Sequence, residues 1–542
     1  MPPAWPGRIP AVVSGPMHPT EGGSAASVPG PVAADEAAPA TSEIVVVGIV
    51  AVLAGGVLRF ATRSGLWLDE SLSVNIASLP VGDIASWLRH DGHPPLFYLL
   101  LHGWMELFGS GDVAVRALSG VFGLLTLPLA YLAGRRRGGV LLGWITLTVV
   151  ALSPFAVRYS DEARMYSMVM FLVFAGYLLV DDVLRRGKDD WLRLAGIVVV
   201  AAALLYTHYW SLWLLAATGL VAIWRVWRPV GPDGRAAAWK LIGALALGGL
   251  LFVPWLPSML YQSAHTGTPW AKPMRPSVAF GFTIQDFGAG LYDDAVFFAL
   301  LTSILVVLGL FGRARDRRHI DVDLSTNPQL RGEAVVGAST FGIGIVIAFA
   351  LRGAFATRYA AVIFPFLALL VAAGVTRFAA RWVRFGVLLV LCSYLAIGAL
   401  WNVADTRTQM TQIGRAIDAK AQPGDLVIYC PDQLGPAGSR ATEADVREVA
   451  YPTFADPALV DWVDYSDRNA SADPQAFAQR ALAEAGPDHN VFLAWNTEYK
   501  TYEGQCEALL EALGAARPAQ LLVDQDPEKF EHGYLTLFPA PS

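Results

Sequence analysis

Long apolar runs separated by short polar loops dominate the chain from residue 43 to residue 401. About 20 apolar residues are needed to cross a bilayer as a helix. Runs of this kind lie at 44–62, 114–134, 139–157, 165–183, 192–207, 209–226, 236–256, 293–312, 334–351, 359–377 and 385–401. The pattern predicts a polytopic α-helical membrane protein of about eleven crossings. The run 93–109 is apolar but short and opens with Pro94-Pro95, so it reads as an interfacial or re-entrant helix.

The pattern changes on both sides of this region. Residues 1–42 are rich in Pro, Ala, Gly and Ser without periodicity, and read as a disordered cytoplasmic leader. The first apolar run starts too late for a signal peptide and has no basic region before it, so it reads as a retained helix. Residues 402–542 alternate helix and strand signals. The segments 410–421 and 503–515 look helical. Leu426–Cys430, Val491–Trp495, 521–523 and Tyr534–Phe538 look like strands. The expectation is a small extracytoplasmic α/β domain, with no phosphate-loop or zinc motif, which covers a site, helps bind an acceptor or is structural.

Composition sharpens this division. The chain is 54% hydrophobic and only 16% charged, well below the quarter usual in soluble domains. Residues 402–542 hold 22 acidic and 10 basic side chains, whereas 1–401 hold 24 and 30. Within the membrane part, the loops that would face inside with a cytoplasmic N-terminus carry 19 Lys and Arg, and those outside carry 8. That bias predicts a plasma-membrane, multi-pass protein with the N-terminus inside and the C-terminal domain outside. Counting 93–109 as a span would invert everything after it. Of three cysteines, Cys392 lies in an apolar run. Cys430 and Cys506 could pair in an oxidising compartment, and two unpaired thiols fit as well.

On this topology the unusual polar residues converge on one membrane face. Asp69, Glu70, His90, Asp91 and His93 lie in the outer loop 63–113, and Arg116 starts the second run. Arg158, Tyr159, Asp161, Glu162, Arg164 and Tyr166 form the next outer turn. His208 and Tyr209 lie in a third, and Arg352, Arg358 and Tyr359 in the last. Charged groups at membrane depth are costly, so they collect where a cavity uses them. A single one of them reads better as a solvated helix end; their convergence reads as a site. The types suit transfer of a sugar from a lipid phosphate. Arginine forks bind the leaving phosphate, a carboxylate takes the acceptor proton, and phosphate leaves without a protonating acid.

The motifs Trp67-Leu68-Asp69-Glu70-Ser71-Leu72-Ser73, His93-Pro94-Pro95-Leu96-Phe97-Tyr98, Arg116, Tyr159-Ser160-Asp161-Glu162-Ala163-Arg164-Met165-Tyr166, Thr207-His208-Tyr209 and Arg358-Tyr359 together resemble the GT-C glycosyltransferases. Within that superfamily the chain is similar to family 39, the protein O-mannosyltransferases and the lipid A aminoarabinose transferase. The resemblance covers 44–401 and rests on the order of the motifs. It implies a GT-C catalytic domain over 43–401, with Asp69 as general base and Glu70 as its support, an acceptor orienter or a metal ligand. It implies donor phosphate or sugar binding by His93, Arg116, Arg158, Glu162, Arg164, Tyr166, His208, Tyr209, Arg358 and Tyr359. For Glu70 a helix-cap role, for His93 a helix-start role, for Glu162 and Arg164 a local ion pair, and for Arg358 a snorkelling helix end are the plainer alternatives. Members differ in metal use, so a divalent cation stays open and no metal is assigned.

The implied partners are a polyprenyl-phosphate-sugar donor, membrane lipids and a glycolipid, lipoglycan or protein acceptor, with no nucleic acid. Mannose leads among donor sugars by analogy; arabinose, aminoarabinose and glucose stay open. A lipid or glycan transporter or flippase would also use many spans and intramembrane arginines. It would show internal repeats and midplane polar residues, which are not evident here. A non-catalytic subunit is the third reading, and the intact Asp69-Glu70 pair speaks against it.

Overall fold

A computed structural model describes residues 41–267, 273–288, 295–351, 353 and 355–541. The leader 1–42 falls almost wholly outside the described residues, as does Arg352.

The apolar runs lie on helices. They begin with α1 (Ser42–Leu58), followed by α2 (Leu68–Ala77), α3 (Val81–Asp91) and α4 (Leu96–Phe108). Next come α5 (Asp112–Leu152), α6 (Pro154–Ser160), α7 (Tyr166–Leu184), α8 (Trp191–Thr207), α9 (Ser211–Trp227) and α10 (Gly234–Phe252). The series continues with α11 (Leu256–His265), α12 (Pro276–Asp286), α13 (Ala295–Phe311), α14 (Arg331–Ala350), α15 (Phe364–Thr376) and α16 (Arg381–Ala404). Among the described residues, five stretches are long and apolar enough to cross a membrane: α5, α7, residues 234–265, α14 and α16. Helices α1, α4, α8, α9, α13 and α15 are apolar but have 10–17 residues. The runs expected at 114–134 and 139–157 join in α5, which is broken at Gly138 and Gly139, where non-helical dihedrals turn the chain.

Helices approach closely where a side chain is missing. A Cβ on Gly374 of α15 would stand 2.0 Å from the Leu305 carbonyl of α13, and one on Gly309 would stand 2.5 Å from the Leu370 carbonyl. Two glycines facing opposite backbones thus set the α13–α15 contact. Outward positions stay apolar, as on α1 (Val46, Val50, Leu53, Val57) and α13 (Val296, Phe297, Leu300). This is the surface a lipid solvent requires.

A short antiparallel hairpin, β1 (Gly312–Ala314) and β2 (Ile320–Val322), interrupts the basic loop after α13. Beyond α16 the chain forms α17 (Met410–Asp418), β3 (Leu426–Cys430), α18 (Gly435–Ala441), β4 (Arg447–Ala450), α19 (Tyr465–Ala470) and α20 (Pro474–Ala485). It ends with β5 (Val491–Trp495), α21 (Gln505–Gly514), β6 (Gln520–Val523) and β7 (Tyr534–Phe538). The strands make one sheet in the order β4-β3-β5-β7-β6. β3 pairs in parallel with β4 and β5, and β7 runs antiparallel to β5 and β6. All five residues of β3 are buried, as a central parallel strand covered on both faces requires. β4, with its polar Arg447 and Glu448, gave no strand signal. Cys430 at the end of β3 is joined to Cys506 of α21 by a disulfide, and Cys392 is free and buried.

Candidate active site

Asp69 and Glu70 occupy the first turn of α2. Successive helical residues point about 100° apart, so the two carboxylates diverge. Glu70 turns inward and is fully buried. Its oxygens accept from Arg116 Nε at 2.7 Å and Nη2 at 2.6 Å, and from the Ala163 amide at 2.9 Å. The Arg116 guanidinium also donates to the Ser64 and Gly65 carbonyls at 2.7 and 3.0 Å. This bidentate pair fastens α2, α5 and the 161–165 turn together. It takes Glu70 and Arg116 out of reach of a substrate.

Asp69 faces a cavity of about 480 Å³. Its Oδ2 lies 3.3 Å from Arg358 Nη2 and 3.8 Å from Arg164 Nη2. Neither guanidinium is aligned to donate to it. Among the described residues, this buried oxygen accepts no hydrogen bond. Arg164 is instead held by the Asp69 carbonyl at 3.3 Å and Ser73 Oγ at 2.8 Å.

His93 follows Gly92, whose φ of 88° ends α3 and is open to glycine. His93 Nε2 lies 3.1 Å from Arg164 Nη2, and its Nδ1 lies 2.7 Å from Asp91 Oδ2. Since Arg164 can only donate, the ring accepts at Nε2 and donates from Nδ1. Tyr98 Oη also donates to Asp91 at 2.9 Å. Burial alone would raise the Asp91 carboxyl, but His93, Arg164 and Tyr98 together hold it below the usual range.

Five of the expected site residues therefore line the cavity: Asp69, His93, Arg164, Arg358 and Tyr359. The other seven do not. Glu162, also buried, takes Arg158 Nε at 3.3 Å and Arg407 Nη1 at 3.1 Å. Tyr166 is buried, packing edge-on against His208, which also contacts Tyr359. Burial, helped by the charges of Arg164 and Arg358, lowers His208 to about 3. Its Nδ1 accepts the Trp210 amide at 3.2 Å, so it is a neutral packing group. Tyr209 accepts from Trp255 Nε1 at 2.9 Å and donates to Gln262, whose amide reaches the His93 carbonyl at 3.2 Å. It acts on His93 from behind.

Several lining residues were not expected from sequence. Asp91 and Trp67 belong to motifs already noted. The far wall comes from beyond residue 430: Trp462, Tyr499, Lys500, Phe530, Glu531 and His532. No linear motif joins these to Asp69; the chain path does. Arg407, just after α16, does not line the cavity but is brought behind it by the same chain path, its amide donating to Ser64 Oγ at 2.9 Å. Among the described residues, no group of three or more His, Cys, Asp or Glu side chains could hold a metal ion.

Residues 92–257 match the family model described as dolichyl-phosphate-mannose-protein mannosyltransferase. The chain shares its fold with ArnT from Cupriavidus metallidurans in the apo state, at 14% identity over 92% of this chain and 98% of that chain, with a TM-score of 0.56. For that protein bound to undecaprenyl phosphate the identity and coverage are the same and the TM-score is 0.53. An oligosaccharyltransferase from Archaeoglobus fulgidus, tethered with an acceptor peptide, aligns more loosely, at 11% identity over 91% and 74% with a TM-score of 0.44. No curated protein matches the chain in sequence. The resemblance to GT-C glycosyltransferases similar to family 39 thus holds, carried by a shared fold and one matching segment.

Proposed function

We propose that this chain is an inverting glycosyltransferase. It moves a sugar, mannose in the first instance, from a polyprenyl-phosphate donor to a cell-envelope glycolipid, lipoglycan or protein at the outer face of the plasma membrane. The observation that carries the reading is Asp69: a carboxylate whose Oδ2 accepts no hydrogen bond among the described residues, set in a cavity beside two arginines. In this reading Arg164 and Arg358 clamp the donor phosphate, a role their planar forks suit. The phosphate draws their charge away from Asp69, whose carboxylate is then free to act as base. The acceptor oxygen attacks the anomeric carbon as its proton passes to Asp69. The bond from that carbon to the phosphate oxygen breaks, and the electron pair leaves with polyprenyl phosphate. Glu70, Arg116, Arg158 and Glu162 become positioning residues. Tyr166, His208 and Tyr209 support the aromatic floor.

The same reading takes the apolar helices as about eleven crossings, with residues 1–42 inside, 43–401 as the membrane catalytic domain and 402–542 as an extracytoplasmic α/β domain. The Cys430–Cys506 disulfide supports the last assignment, since such bonds persist in oxidising compartments. The test is transfer from radiolabelled polyprenyl-phosphate-mannose by membranes holding wild type or Asp69→Asn at equal level. Transfer lost in the variant supports class and base together. Equal transfer by both removes Asp69 and with it this mechanism.

A further inference from the structure

Glu531 belongs to the chain between β6 and β7, yet it touches the helix that carries Asp69. Its backbone is pinned where the chain leaves α16: its amide donates to the Arg407 carbonyl at 2.9 Å, and its carbonyl accepts the Gln409 amide at 2.8 Å. Its Oε1 accepts the Leu68 amide at 3.1 Å, one residue before Asp69. The residue is 1% exposed; among the described residues its Oε2 lacks a hydrogen bond of good geometry, and the Thr408 hydroxyl stands beside the carboxyl. A buried polar atom left short of a partner is costly. This one belongs to a side chain that lines the cavity.

The two walls of that cavity differ in chemistry. The membrane wall carries Arg164 and Arg358 and suits an anion. The opposite wall carries the aromatic rings of Trp462, Tyr499 and Phe530, the amides of Gln433 and Asn496, and the titratable side chains of Glu498, Lys500, Glu531 and His532. Aromatic faces with hydrogen-bond donors and acceptors set between them suit a hydroxyl-rich ring. Burial raises the Glu531 carboxyl to about 8, against hydrogen bonds from Thr408 and the Leu68 amide and with the nearby charges of Asp69 and Glu70 adding to the rise; Glu498, Lys500 and His532 are the other titratable groups on its wall. At neutral pH it therefore keeps a proton and can donate.

Resting on the transferase reading above, we propose that Glu531 is a specificity-determining residue for a carbohydrate acceptor: its carboxyl hydrogen-bonds an acceptor hydroxyl on the wall facing Asp69. The acceptor would thereby lie between the sheet-bearing part of the chain and the base. The donor phosphate would lie on the arginine side.

The test uses the full-length protein in lipid nanodiscs loaded with undecaprenyl phosphate, as wild type, Glu531→Gln and Glu531→Ala. The thermal shift produced by undecaprenyl phosphate is read first. A wild type that shows none overturns the donor reading on which this proposal rests, before any variant is compared. Neutral trisaccharides (mannotriose, arabinotriose, cellotriose) and a Ser/Thr-containing octapeptide are then titrated by calorimetry. The expected result is that wild type binds one of the sugars and Glu531→Ala weakens that binding at least about ten-fold, with the undecaprenyl phosphate shift unchanged. Glu531→Gln, which can still accept the Leu68 amide, should retain most of the binding and lose its pH dependence. Wild-type binding should weaken above about pH 8 as Glu531 ionises. Equal sugar binding by wild type and Glu531→Ala, binding of the peptide alone, binding of none of these ligands, or a parallel loss of the undecaprenyl phosphate shift would each overturn the proposal.

Discussion

The same helices carry a charge cluster at each end, and the two clusters are built to different ends. Near the start of α5 and before α7, Glu70 pairs with Arg116 and Glu162 with Arg158 behind a cavity that Asp69 and Arg164 line. At the other end, Arg137 sits beside the α5 break, Asp181 ends α7 and Glu333 begins α14. There Glu333 accepts from Arg137 at 2.5 Å, Arg185 at 3.0 Å and Tyr177 at 2.8 Å, and Asp181 takes Arg136 and Arg137. No residue of this second cluster lines the cavity. Buried paired charges thus serve two purposes: one cluster ties three helices together, and the other holds a carboxylate between two arginines at the edge of a cavity.

The sharpest test of that contrast is catalytic. Asp69→Asn should cut sugar transfer by about 10²–10⁴-fold, the range for loss of a general base, with the thermal midpoint in detergent unchanged. Glu333→Ala should do the reverse. Removing one partner of a buried ionic network costs about 3–5 kcal/mol, so denaturation in mixed micelles should show a strongly destabilised protein whose folded fraction still transfers sugar. The contrast fails if Glu333→Ala inactivates without destabilising. Glu70→Gln should resemble Glu333→Ala despite its place beside Asp69, because its oxygens are already bound to Arg116 and Ala163.

Smaller effects separate roles within the outer cluster. Arg358→Lys keeps the charge but loses the fork, so the KM for a polyprenyl-phosphate donor should rise by about ten-fold, with little change in stability. Asp161, in the turn before α7, is raised to about 7, chiefly by burial. A carboxyl raised on folding binds its proton more tightly in the native state. Its contribution to stability is complete below its ordinary value near 3.8 and is lost as pH rises through about 7. Thermal midpoints measured from pH 4 to pH 8 should therefore fall less in Asp161→Asn than in wild type. His208, neutral above about pH 3, should add no step to the pH–rate profile, and His208→Gln should leave its shape between pH 5 and 8 unchanged.

The helices were legible because a lipid-facing helix must be apolar over its whole length, and that signal survives without any alignment. The α5 break at Gly138-Gly139 fell between two predicted runs for the same reason. The strand β4 was not legible, since Arg447 and Glu448 interrupt the apolar signal and its place beside β3 is set by pairing. In the site, sequence order grouped twelve residues, of which five, Asp69, His93, Arg164, Arg358 and Tyr359, line the cavity. It could not separate Asp69 from Glu70. Their divergence follows from the helical rotation of α2 together with where Arg116 and the Ala163 amide happen to stand.

What the sequence by itself determined is a chain of many apolar helices with acidic residues and arginines grouped in a few short segments between them, because hydropathy and charge are local properties of the chain. What only the tertiary structure decided is which carboxylate meets the cavity and what forms its second wall. Glu531 and Glu70 lie 461 residues apart, and both act on α2. One accepts the Leu68 amide at its start, and the other holds its inner face against Arg116. Contacts of that separation are set by packing, and no residue pattern along the chain encodes them.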